Sequence, residues 1–168
     1  MDLLLELLED PAYRHVLLNH LPITGLALSC LVLGWALFGR RWESIRFALV
    51  LVLLTSLSGV VVMEAGEDAY PFVYDGLDGV GRSWLDYHAH LADRWGKLLA
   101  VNGLLAAVAL GLGAWRSATQ TRAGALILVT TLVALVAAAM IADAGGRIRH
   151  PEFRLSDPPA YESPGRLR

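Results

Sequence analysis

Imidazole and carboxylate side chains, the commonest protein ligands of transition metals and (for imidazole) of haem iron, recur at a few places in this chain of 168 residues. All five histidines, His15, His20, His88, His90 and His150, fall outside its long apolar runs. Glu64, Glu67, Asp93, Asp143 and Glu152 stand at or near the ends of those runs. On a helix, His90 and Asp93 share a face at i and i+3 and are spaced to bind one ion together, the Glu-x-x-His spacing of dimetal bundles in reverse order. His88 and His90, two residues apart, point to different sides of a helix, and His90 is assigned to the bundle interior. His20 precedes Pro22, which suits the first turn of a helix. Glu64 and Glu67 also share a face. Carboxylates at a helix C-terminus are disfavoured by its dipole unless something positive lies near, such as a metal ion or an arginine.

The working ligand set is His20, Glu67, His90 and His150, with Glu64, His88, Asp93, Asp143 and Glu152 as further ligands or supporting partners. Mixed imidazole and carboxylate donors suit Fe, Zn or Cu. A b-type haem held by His20 with His90, or His90 with His150, is the alternative. In a third reading the same groups form a hydrogen-bonded plug, with Arg147 and Arg149 pairing the acids. Nothing suggests hydrolase chemistry, since Ser83 and Ser156 have no elbow or triad context.

The elements that must position these residues are helices. Hydrophobic residues make up 55% of the chain and charged residues 18%, and the mean hydropathy is +0.50. Four nearly charge-free runs cover residues 21–39, 47–63, 98–115 and 123–142. Each approaches the roughly 20 residues that a helix needs to cross about 30 Å of hydrocarbon. The expected fold is all-α: an integral membrane up-down-up-down four-helix bundle with spans near 21–39, 45–64, 96–115 and 123–143. Residues 1–17 form an interfacial amphipathic segment broken at Pro11, 18–152 the membrane domain, and 153–168 an extended or disordered tail. A polar loop over 64–97 joins the two helix pairs. Gly103, Gly111 and Gly113 and the alanines Ala137, Ala138 and Ala139 mark close helix contacts, and Asn102 is placed to hydrogen-bond across helices. Trp35, Trp42, Trp84, Trp95 and Trp115 fit interfacial anchoring.

Orientation follows from charge. The tight links carry Arg40, Arg41, Arg46, Arg116 and Arg122 against Glu43, whereas 64–97 holds seven acids against Arg82, Arg94 and Lys97. The links are therefore read as cytoplasmic, against a tail that is itself rich in arginine. The net charge of −2 gives no basic field for nucleic acid. Met1–Asp10 carries acids where a secretory signal carries Lys or Arg. Cys30 lies mid-span and has no second cysteine to pair with. No span carries an ionisable residue deep in the bilayer, which argues against a transporter.

His-Leu-Pro at 20–22, Gly66-Glu67 after the second run, a histidine before the third and Gly-Gly-Arg-Ile-Arg-His-Pro-Glu at 145–152 resemble a family of small uncharacterised bacterial four-helix integral membrane proteins. The resemblance covers roughly residues 15–152. It departs at Leu91, where related sequences more often carry Glu after the third-span histidine. It implies a protein of the bacterial inner membrane with a redox or metal-handling role, and the charge-based orientation places both termini extracytoplasmic. An accessory subunit packed by its spans against a larger membrane or redox complex is the competing expectation.

Overall fold

The computed structural model describes residues 9–161, all of whose regular structure is helical. In chain order the α-helices are α1 (Pro11–Leu18), α2 (His20–Gly39), α3 (Trp42–Asp75), α4 (Gly79–Trp95), α5 (Lys97–Trp115) and α6 (Gln120–Arg149). Short 3-10 turns occupy Ser117–Thr119 and Pro151–Phe153. Only Asn19 separates α1 from α2, and only Gly96 separates α4 from α5. The result is four helices long and apolar enough to cross a membrane: Pro11–Gly39, Trp42–Asp75, Gly79–Trp115 and Ser117–Arg149. The expected interfacial helix falls mostly on residues 1–8, outside the described residues; Pro11 itself opens α1, with the Asp10 carboxylate accepting from the Ala12 and Tyr13 amides.

The polar loop expected over 64–97 is almost wholly helix, and this corrects the sequence reading. α3 runs on to Asp75 through Pro71, and α4 starts at Gly79 after a three-residue turn, its Asp78 side chain accepting from Gly81 N. At 1.5 Å per residue the 34 residues of α3 measure about 51 Å, roughly 20 Å more than the hydrocarbon of a bilayer. That extension has its own apolar contacts: α1 packs on α3 and α4 packs on α6. Trp84, Leu85, Leu91, Ala144 and Ile148 form the core between α4 and α6. Trp84 is 3% exposed, so it is a core residue of this extension and not an interfacial anchor.

In the apolar part, α2 packs on α3 and α6, and α5 packs on the same two helices. Leu33, Ile45, Leu49, Val52, Ala106 and Ile127 centre the core. Gly113 admits the Trp42 ring and Gly103 admits Ser56, but Gly111 faces open space and Ala139 is exposed, so neither marks a helix contact. Buried Asn102 donates to Ser56 Oγ (3.0 Å) and Thr131 Oγ1 (3.3 Å) and accepts from Thr130 Oγ1 (2.7 Å). This knot joins α3, α5 and α6. Gly145 and Gly146 do not stop α6, which continues to Arg149.

The segment after α6 is strapped down. Arg154 donates to the Asp78 carboxylate (3.0 Å) and to the carbonyls of Arg147 and Ile148 (both 2.6 Å). The ring of Tyr161 lies against His90 and Tyr87. Residues 156–161 have no regular secondary structure.

Candidate functional site

Two histidines are held by one device used twice. His15 on α1 lies against α3, its Nδ1 3.0 Å from the carbonyl oxygen of Val62. Four residues on, Gly66 leaves room for the ring: a Cβ there would stand 2.9 Å from both Cε1 and Nδ1 of His15. His88 on α4 lies against α6 in the same way, its Nδ1 2.8 Å from the Ile141 carbonyl oxygen. A Cβ on Gly145, again four residues on, would stand 3.1 Å from that ring. A carbonyl has no proton to give, so in both rings Nδ1–H is the donor and the lone pair is fixed on Nε2. Neither Nε2 has a hydrogen-bond partner among the described residues. The two ring centroids stand 6.1 Å apart, with their planes 80° apart.

Both rings line a cavity of about 450 Å³, within the range of roughly 300–1,000 Å³ typical of small-molecule and cofactor sites. Its walls come from one end of the bundle and are largely small or apolar, among them Gly59, Ala69, Ala92, Gly96, Leu99, Ala138 and Ala142.

The structure gathers part of the expected ligand set. His20, Glu67 and His150 line the cavity, all three exposed. His90 does not line it. Of the pair on α4, His88 faces inward, which corrects the choice of His90: buried Leu85 and Leu91 fix the inner face of α4, and His88 lies three residues from each. Asp93 is half-buried on the cavity wall. Glu64, Asp143 and Glu152 stand off it; Asp143 pairs with Arg147 (3.0 Å). His150 Nδ1 lies 2.9 Å from Glu152 Oε1, and its ring stacks on Phe153. The Glu152 carboxyl is held below the ordinary range, first by its own backbone N–H and then by the His150 imidazole. Among the described residues no three His, Cys, Asp or Glu side chains converge as a metal ion would require.

His15 is the residue that sequence reasoning missed. The available signal was a pairing across the chain: Gly66 and Gly145 each stand within a helix where a histidine of a neighbouring helix needs a bare backbone. No protein-family model, curated protein or solved structure matches the chain.

Proposed function

We propose that this chain is a multi-pass protein of the bacterial inner membrane that holds a b-type haem between His15 and His88 and passes electrons through it. The reading includes an up-down-up-down course for the spans, both termini extracytoplasmic, and an interfacial helix at the extreme N-terminus. Arginines in the two tight links support the orientation. The motif likeness to small bacterial four-helix membrane proteins is part of the same proposal.

The His15–His88 pair carries it. An imidazole nitrogen binds a transition metal at about 2.0–2.1 Å and its ring centroid lies about 1.1 Å behind, so two imidazoles that held one iron between them would stand about 6.3 Å apart. The observed separation is 6.1 Å. A porphyrin brings four nitrogens, so two protein ligands complete the iron, whereas an isolated Zn, Fe or Cu ion takes three or more. That difference favours haem over a non-haem ion bound by His20, Glu67, His90 and His150.

When bound, haem supplies one-electron chemistry at its iron. The chain's own part is to present two lone pairs at a fixed spacing. The Val62 and Ile141 carbonyls fix the tautomer and so leave the lone pair on the opposite nitrogen. Gly66 and Gly145 let both rings lie close against their helices. The small apolar walls exclude water and favour retention of a large flat ligand.

The test is an optical spectrum of protein purified in detergent from haem-replete cells. The expected result is one haem per chain with a Soret band and sharp bands on reduction. His15→Ala or His88→Ala abolishes that spectrum, and His90→Ala preserves it. A colourless wild-type protein refutes the reading.

A further inference from the structure

The cavity has one strongly cationic point on its wall. Arg149, in the last turn of α6, is the one arginine or lysine among the described lining residues. The other arginines at this end of the bundle are engaged. Arg14 pairs with Asp68 (3.6 Å), Arg147 with Asp143 (3.0 Å) and Arg154 with Asp78 (3.0 Å). Arg82 donates to the Tyr74 carbonyl, and Arg94 lies over the Trp95 ring. Arg149 has no such partner among the described residues.

Its position along α6 is as informative as its charge. Arg149 follows Gly145, the seat of His88, by four residues, which is one turn or about 6 Å along the axis. Its side chain therefore starts one turn beyond the level of the two histidines, toward the C-terminal end of α6. The helix dipole explains why a cation is tolerated there. It does not explain why this arginine lines the cavity when its neighbours bind carboxylates or ring faces. Glu67 and Asp93, the carboxylates on the wall, disfavour an anionic group elsewhere in the cavity.

We propose that Arg149 is the counter-ion for a carboxylate-bearing edge of the tetrapyrrole and sets which way round the macrocycle enters. This rests on the reading of His15 and His88 as axial ligands. A planar guanidinium meets a carboxylate through two parallel N–H···O bonds, which selects both the charge and the orientation of that edge. The site then discriminates between a porphyrin with free carboxylates and the same porphyrin with both esterified, although the iron and the apolar faces are identical.

The experiment loads full-length protein, produced in haem-deficient cells, with haem b or with its dimethyl ester, following the shift of the Soret band. Wild type binds haem b about tenfold or more tightly than the ester, the scale of one charge-assisted hydrogen-bonded pair. Arg149→Gln reduces that preference to about threefold or less, and Arg149→Lys retains an intermediate preference. In both variants the bis-histidine spectrum of bound haem b persists, because Arg149 does not touch the axial ligands. The midpoint potential of Arg149→Gln falls, since losing a cation beside the carboxylate favours the ferric state. An undiminished preference for haem b in Arg149→Gln, with an unaltered potential, overturns the assignment of Arg149 and leaves the histidine pair standing. Failure of wild type to bind either compound overturns both.

Discussion

Adding a single methyl group at residue 66 separates the stability of the fold from the competence of the site. The new Cβ would stand 2.9 Å from the His15 ring, where carbon contacts settle at about 3.5–4.0 Å, so the ring must retreat by roughly 0.6–1 Å. From 3.0 Å, the Nδ1–H bond to Val62 then stretches beyond hydrogen-bonding range, a loss of about 1 kcal/mol. Under the proposed function the same retreat would carry the His15 nitrogen out of reach of the iron, because a metal–nitrogen distance tolerates only about 0.2 Å. Helix propensity acts in the opposite direction: Ala for Gly inside a helix stabilises by about 0.5–1 kcal/mol. Gly66→Ala is therefore expected to leave the stability of cofactor-free protein unchanged or slightly lowered while replacing the six-coordinate spectrum with a five-coordinate one. Gly145→Ala, with its Cβ 3.1 Å from His88, gives a milder version. Gly111→Ala meets nothing within 4 Å and shows the propensity gain alone. An unaltered six-coordinate spectrum in Gly66→Ala refutes the argument that the glycine is there for the ring.

Two further outcomes follow from the packing. Asn102→Ala removes the hydrogen bonds that link it to Ser56, Thr130 and Thr131, but Thr130 and Thr131 keep their bonds to the Ile127 carbonyl. The expected cost is about 0.6–1.7 kcal/mol, read from unfolding in mixed micelles, and a loss above about 3 kcal/mol contradicts this account. Arg154→Ala releases the strap from Asp78 and from two carbonyls of α6. Limited proteolysis is expected to cut the chain after Phe153 faster in this variant than in wild type, with the four long helices intact; equal cutting rates would show that Arg154 holds nothing.

The long helices were legible because charge-free runs of span length leave the backbone no other way to satisfy its polar groups in lipid. Asn102 was legible for a related reason: a lone amide in such a run must find partners on a neighbouring helix. The helical course of 64–97 was not, because its acids and glycines resemble loop composition. Its apolar residues pay off only once α1 lies on α3 and α4 on α6. The inward turn of His88 was within reach, since Trp84, Leu85 and Leu91 define the phase of α4. His15 was beyond periodicity altogether. Its role depends on Val62 and Gly66 of another helix, and no local pattern in Pro11–Leu18 points to them.

The histidine seats also relate the two halves of the molecule. In each, a helix carrying a cavity-lining histidine (α4 holds His90 as well) leads through a single residue into an apolar helix, and a long helix follows with a carbonyl and a glycine four residues apart. His15, Val62 and Gly66 correspond in this way to His88, Ile141 and Gly145. Under the proposed function each helix pair would then contribute one of the two imidazoles. A ligand bound between the imidazoles would join one helix pair to the other, so by mass action its affinity would add to the packing of α2 on α6 and of α3 on α5 in resisting their separation.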